Sequence, residues 1–320
     1  MQLIGEFMAK KEKEIRYSYS RLETYDQCPF RYFLKYIEGH YSKTSSIALE
    51  FGTLVHATEE KIGNRIKEGK TIPYQELIKE FADKCVILAN KYPKDFIAKD
   101  KSDRTYEDKI NYYLNDGIYR LERFMKANPN LRIIGTEVPF TFKYHGKEAF
   151  RGFIDRILYD NAADRYIVQD IKTYAVPVEH EKLVTPLQFV VYCLAMCEAY
   201  PTDPTEILCQ YDLPLCDITQ DAGTKGFIAR GTAKLDKLFT KIYSKEWAPK
   251  QSPLCTWCDY SPNNANADEE TKWLCPYHMN WTKEHHCYDK ENEWQGLEKH
   301  QAILEAYHRC YGVKKETKNG

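Results

Sequence analysis

Apolar positions fall at helical spacings as far as residue 130, and from Leu131 they follow a two-residue period instead. This change of rhythm divides the chain. The run 131–142 is rich in β-branched and aromatic residues, which suit a pleated surface. His145-Gly146-Lys147 supplies a turn, and two further runs follow, Arg151-Gly152-Phe153-Ile154-Asp155-Arg156-Ile157 and Ile167-Val168-Gln169-Asp170-Ile171-Lys172-Thr173. The polar link 160–164 joins them. Three strands in hairpin succession are therefore predicted, then an apolar helix over 186–200 and a strand over 204–213. Phe227-Ile228-Ala229-Arg230 reads as a short partner strand and 233–247 as an amphipathic helix.

The first part of the chain reads as helices. Ser20-Arg21-Leu22-Glu23 has capping-box spacing and predicts a helix start, and Pro29 ends that helix just after Cys28. A second helical stretch runs through Tyr32, Phe33 and Tyr36 to Gly39. Leu54, Val55, Ile62 and Ile66 predict a longer helix over 47–67, closed at Gly69 and carrying His56. Pro73 opens another, through Leu77, Phe81, Cys85 and Leu88, and a further helix spans 106–126. Beyond the strands lie an irregular cysteine-bearing segment, 253–281, and a last helix over 292–311. The expected organisation is a flexible tail (1–16), a helical region (17–130), a strand-rich core (131–250), and a cysteine-bearing metal segment with a C-terminal helix (251–320). The class is α/β (α+β).

Composition narrows the function. A formal charge of -1 carries no global basic signature, so a nucleic-acid partner has to be met by a local groove. Eleven cysteines, an odd number scattered through 320 residues, argue against a disulfide framework. The first seven residues lack a basic lead and an apolar core, and Val190-Val191-Tyr192-Cys193-Leu194-Ala195-Met196 is too short to span a bilayer. A cytoplasmic protein with no membrane association is expected. Lys10, Lys11 and Lys13 read as a solvated tail.

The chemistry concentrates in the second and third strands. Asp170 and Lys172 are two apart, so they share one face while Ile171 points to the other. The hairpin brings Asp155 beside them. Two acids and a lysine at strand ends are groups that hold a hard divalent ion and activate water beside it.

Taken in order, these pieces form a pattern. His56 lies on a helix, Glu137 on a first strand, Gly152-x-x-Asp155-Arg156-Ile157 on a second, Asp170-x-Lys172 on a third, and Gln188-x-x-x-Tyr192 on the following helix. The set resembles the RecB-type branch of the PD-(D/E)xK nucleases, which includes AddB and CRISPR-associated exonucleases. The upstream run Ser18-x-Ser20-x-Leu22-x-x-Tyr25-x-x-Cys28-Pro29-x-x-Tyr32 resembles it too, and the likeness extends from Tyr17 to about Tyr277. It implies a restriction-endonuclease-like βββαβ nuclease core acting on single-stranded DNA or duplex ends. Asp155, the Asp170 carboxylate and the Ile171 carbonyl would bind the metal, with His56 as a further ligand. Oxygen donors suit Mg²⁺ and an imidazole suits Mn²⁺. Lys172 would orient water or stabilise charge at phosphorus. Glu137 reads equally as a helper of metal or water and as a strand-edge carboxylate. Gln188 and Tyr192 share a helix face that would meet the nucleic acid or the lysine.

Cys255-Thr256-Trp257-Cys258, with Cys275-Pro276 and the distant Cys28-Pro29, resembles the four-cysteine staple of AddB-like nucleases. This implies a [4Fe-4S] cluster. The spacer before Cys275 is longer than the family's, and Cys255-x-x-Cys258 with Cys275-x-x-His278 also fits Zn²⁺, which would leave Cys28 a spare thiol. Cys287, His285 and His286 are reserve ligands, and Cys85, Cys193, Cys197, Cys209, Cys216 and Cys310 read as small core hydrophobes. Nothing matches G-x-x-x-x-G-K-[ST], so any helicase or recombination motor is expected on a separate protein. The implied activity is an exonuclease of recombination, repair, phage replication or CRISPR adaptation. Its rivals are a non-catalytic nucleic-acid-binding subunit with the same fold and a zinc-stabilised interaction scaffold.

Overall fold

The computed structural model describes residues 16–275, apart from Ala265 and Trp273. The predicted last helix, His278, Cys287, Cys310, His285 and His286 lie outside the described residues. A short strand β1 (Arg16–Tyr17) leads into α1 (Tyr19–Gln27) and α2 (Pro29–Tyr32), and a π-helical turn at Phe33–Ile37 follows. The helical layer continues with α3 (Ile47–Lys67), α4 (Tyr74–Lys91), α5 (Pro93–Ile97), α6 (Tyr106–Asn115) and α7 (Arg120–Ala127). Then come β2 (Leu131–Tyr144), β3 (Glu148–Asp160), β4 (Arg165–Ile171), α8 (His180–Val184), α9 (Leu187–Ala199), β5 (Leu208–Leu213), β6 (Ile218–Ala222) and α10 (Phe227–Tyr243). The predicted βββαβ order is β2-β3-β4-α9-β5.

Local chemistry accounts for most boundaries and corrects several expectations. The cap of α1 is Ser18, whose hydroxyl accepts from the Arg21 N–H, and not Ser20, whose hydroxyl meets that of Ser18. The helix expected over 106–126 is broken by a 3₁₀ turn at Gly117–Tyr119, where the backbone at Gly117 lies so near the Pro214 carbonyl that a Cβ would stand 2.7 Å from it. Phe227 opens α10 instead of forming a strand. Gly226, at φ +76°, takes the left-handed cap that a side chain resists. The strand paired with β5 is the more polar β6.

One sheet carries the molecule. β2 runs antiparallel along one edge of β3 through nearly its whole length. The other edge is shared, because β1 pairs in parallel with Ala149 and Phe150 while β4 pairs antiparallel with Arg156 to Asp160. Residues 151–155 lie between these two partners, and Asp155 is at the mouth of that gap. β5 joins β4 in parallel and β6 closes the sheet. Alternation along the strands sends Ile157 and Val168 into a core with α1, α2, α9 and α10. Leu158, Ile167 and Ile171 enter a second core beneath α3, α4 and α6.

By length and composition, the stretch His180–Ala199 is apolar enough to cross a membrane. Here it is split at Thr185 and Pro186, and its second half is the core helix α9, in which Phe189, Val190, Val191 and Cys193 are wholly buried. Its apolarity is explained by burial against the sheet.

Candidate active site

Two close approaches build the site. Helix α3, capped by Ser46, lies against β2 at Gly63, where a Cβ would stand 2.5 Å from the Thr136 methyl. Only a residue without a side chain allows this spacing, which brings His56, one face along the same helix, over Glu137 and Asp155. The second approach is electrostatic. Arg156, fully buried, pairs with Glu59 of α3 at 3.0 Å and with Asp212 of β5 at 2.6 Å. Arg120 also pairs with Asp212, and the Tyr113 hydroxyl donates to Glu59 at 2.9 Å. Removing one member of such a buried network costs about 3–5 kcal/mol, because its partners stay charged and dry. The network fixes α3 to the strand that carries Asp155.

Around Asp155 the donors converge. His56 Nδ1 lies 3.4 Å from Glu137 Oε1 and 3.7 Å from Asp155 Oδ2. His56 Nε2 lies 2.9 Å from the Ile171 carbonyl oxygen. The Ile171 N–H donates to Asp155 Oδ2 at 2.7 Å. Among the described residues, one group of three or more His, Cys or carboxylate donors falls within 4.8 Å of one another: His56, Glu137 and Asp155. Glu137 reaches it from a left-handed backbone, φ +44°, a conformation that costs a residue with a side chain on the order of 1–3 kcal/mol.

Asp170 stands on the α9 side, almost wholly buried. Lys172 Nζ is 2.6 Å from Asp170 Oδ2. Lys172 also donates to Gln188 Oε1 at 3.2 Å, Gln188 Nε2 donates to the Tyr192 hydroxyl at 2.9 Å, and that hydroxyl reaches Asp170 Oδ1 at 3.5 Å. The expected face-sharing of Asp170 with Lys172 and of Gln188 with Tyr192 is thus present, and the two pairs form one relay.

Crowded carboxylates resist ionising together. Burial, and then the Asp170 charge, push Asp155 up to about 7 against the pull of His56, the Ile171 N–H and Lys172. Burial opposes the charged form of His56, but its bond to Glu137 and the Asp155 and Asp170 charges outweigh that and raise it. Burial likewise opposes the Lys172 ammonium, and Asp170 more than restores it. A buried carboxylate pocket with one imidazole and one backbone carbonyl fits a hard or borderline divalent cation.

The sequence pattern does not single out Glu59, Arg156 or Asp212 as members of one network. The available signal is a charge inside an apolar run, immediately after Asp155, and a carboxylate one helical turn beyond His56.

The four cysteines singled out in the sequence, Cys28, Cys255, Cys258 and Cys275, lie around one cavity between the α1–α2 junction and the C-terminal segment. Protein contacts close the same seam: Arg31 to Asp259 at 3.3 Å, the Tyr260 hydroxyl to the His40 carbonyl at 2.5 Å, and Lys43 to Glu270 at 2.9 Å. Burial pushes the Cys258 thiol up to about 12 despite Arg31. Cys85, Cys193 and Cys209 are buried among apolar neighbours, as expected of core thiols.

The chain is similar to known proteins. The family model described as the PD-(D/E)XK nuclease superfamily matches residues 16–262. An ATP-dependent helicase/deoxyribonuclease subunit from Carboxydothermus hydrogenoformans is 28% identical over 219 residues, covering 57% of this chain and 18% of that protein. Its counterpart in Clostridium tetani is 36% identical over 77 residues, covering 23% of this chain and 6% of that one. The chain therefore spans less than a fifth of the length of either relative. A solved structure from Eubacterium rectale, provisionally described as an exonuclease, is 13% identical with a TM-score of 0.44, covering 81% of this chain and 92% of that one. With the family model spanning both the sheet and the helical layer that carries His56, the chain belongs to the PD-(D/E)XK nuclease superfamily.

Proposed function

We propose that the chain is a Mg²⁺- or Mn²⁺-dependent deoxyribonuclease that hydrolyses phosphodiester bonds at DNA ends, in exonuclease mode. The observation that carries this reading is the convergence of His56, Glu137, Asp155 and the Ile171 carbonyl within a few ångströms, with Lys172 beside Asp170. The names of the two helicase/deoxyribonuclease relatives support DNA as the substrate. They also support a separate motor as partner.

Asp155, Asp170, the Ile171 carbonyl and His56 would hold the ion, and Glu137 would complete the set or hold a water. A divalent ion supplies Lewis acidity toward phosphate and water. Lys172, kept protonated by Asp170, donates hydrogen bonds toward the attacking water or the phosphate oxygens. Gln188 and Tyr192 keep Lys172 and Asp170 in place. A non-catalytic role is disfavoured because each group this chemistry uses is present and in reach of the others.

The cysteine cavity would hold a [4Fe-4S] cluster that staples the C-terminal segment to the helical layer. Four thiols lining one cavity are the donor set that a [4Fe-4S] cluster takes. End-labelled single- and double-stranded DNA incubated with and without Mn²⁺ tests the nuclease reading. Metal-dependent shortening of the labelled strand is expected, and binding without any cleavage at any metal concentration would return the chain to the non-catalytic class.

A further inference from the structure

Beside the acidic cluster an open groove runs between α3 and β3, lined by Leu49, Thr53, His56, Glu60, Glu137 and Phe153. Phe153 lies in the stretch of β3 that pairs with β2 on one edge only, two residues before Asp155 and opposite Pro139 of β2. Its ring is 58% exposed, and Leu49 across the groove is 65% exposed. The groove's lining includes no lysine or arginine and two carboxylates, Glu60 and Glu137.

That combination selects among the parts of a nucleotide. At the Leu49–Glu60–Phe153 end, away from the His56 and Glu137 side chains, a phosphate would meet apolar surface and a carboxylate, whereas the neutral face of a base gains by stacking on a phenyl ring. In a duplex both faces of each internal base are already covered by neighbours. We propose that Phe153 is a stacking platform for one unpaired base next to the scissile phosphate, so that the groove takes single-stranded or frayed ends. This inference rests on the nuclease reading for its substrate. The phosphate lies at the Asp155–Lys172 side and the adjoining base on the Phe153 side.

The test is a coupling measurement between ring and base. Binding of a labelled single-stranded oligodeoxynucleotide is measured in EDTA, with one abasic residue stepped through its terminal positions, for the wild-type protein and for Phe153→Ala and Phe153→Trp. With wild type, one abasic position is expected to weaken binding about tenfold. In Phe153→Ala the intact strand binds about tenfold more weakly and the same abasic position costs nothing further, while Phe153→Trp retains the wild-type pattern. An abasic penalty that is absent at every position, or equal in wild type and Phe153→Ala, overturns the platform, as does failure to bind single strands. Mn²⁺-dependent cleavage assayed in parallel separates the two readings. Coupling without cleavage sinks the nuclease and keeps the platform, and cleavage without coupling does the reverse.

Discussion

His56 Nε2 lies 2.9 Å from the carbonyl oxygen of Ile171, so a helix that precedes the sheet by a whole layer closes on the strand residue between Asp170 and Lys172. The ring's other nitrogen faces Glu137 and Asp155. If the imidazole is a ligand, His56→Ala should lower Mn²⁺ affinity roughly 10- to 100-fold, the scale seen when groups that orient metal sites are lost. The unfolding midpoint of the metal-free protein should shift little, since His56 is partly exposed. Calorimetric titration with Mn²⁺ checks this, and equal affinities in the two proteins would remove His56 from the ligand set.

Glu137 is held in left-handed backbone, and its side chain has no structural task beyond the site. Glu137→Gly should therefore leave stability unchanged or raise it by up to about 1 kcal/mol, because relief of strain offsets glycine's extra freedom in the unfolded chain. Activity should fall. Urea unfolding beside a cleavage assay reads both, and a loss of about 1 kcal/mol, ordinary for glycine in a strand, would mean that the strain is not there.

The buried network makes a pH prediction. Complete burial, and secondly Asp212, push Glu59 up to about 7, even though Arg156 favours its charged form. A carboxyl whose folded value lies above its unfolded value binds more protons when folded between the two. Its contribution therefore favours folding below about 4.5 and declines as pH rises to about 7, with no further change above. In metal-free protein, the Glu59 share of this loss is on the order of a few kcal/mol and should disappear in Glu59→Gln. Thermal unfolding followed from about pH 4.5 to about pH 8 measures it, and a Glu59→Gln profile parallel to wild type would contradict it.

Much of this is legible in the chain. Asp155, Asp170 and Lys172 can be grouped because a two-residue period and a five-residue polar link leave few other placements. His56 is added only through the order of motifs, since nothing in a helix's own period says which sheet it will cover. Arg156, Glu59 and Asp212 stay hidden because charges ordinarily mark solvent, and their mutual neutralisation is visible only in three dimensions. Phe227 reads as strand because a short apolar run fits a strand or a buried helix turn alike. β6 gives no strand signal because Thr219, Gln220 and Asp221 make it polar, as an edge strand can be.

The cysteine cavity predicts a chromophore. Anaerobically purified protein should be brown, with visible absorption that bleaches on reduction. Cys28→Ser should lose the colour and make the segment beyond residue 250 more sensitive to protease, because Cys28 lies across the seam from the other three thiols. Stoichiometric zinc and no colour would assign the cavity to the smaller ion.

The account stands most directly on Mn²⁺-dependent cleavage by Asp155→Asn and Lys172→Ala, compared with wild type on the same end-labelled DNA. Both substitutions change charge or hydrogen bonding at the convergence point while leaving the surrounding apolar packing in place. Wild type should shorten the labelled strand, and each variant should be slower by at least about 100-fold, the usual scale for loss of a positioned charge at a reacting centre. Cleavage at wild-type rate by either variant would contradict the assignment of the site.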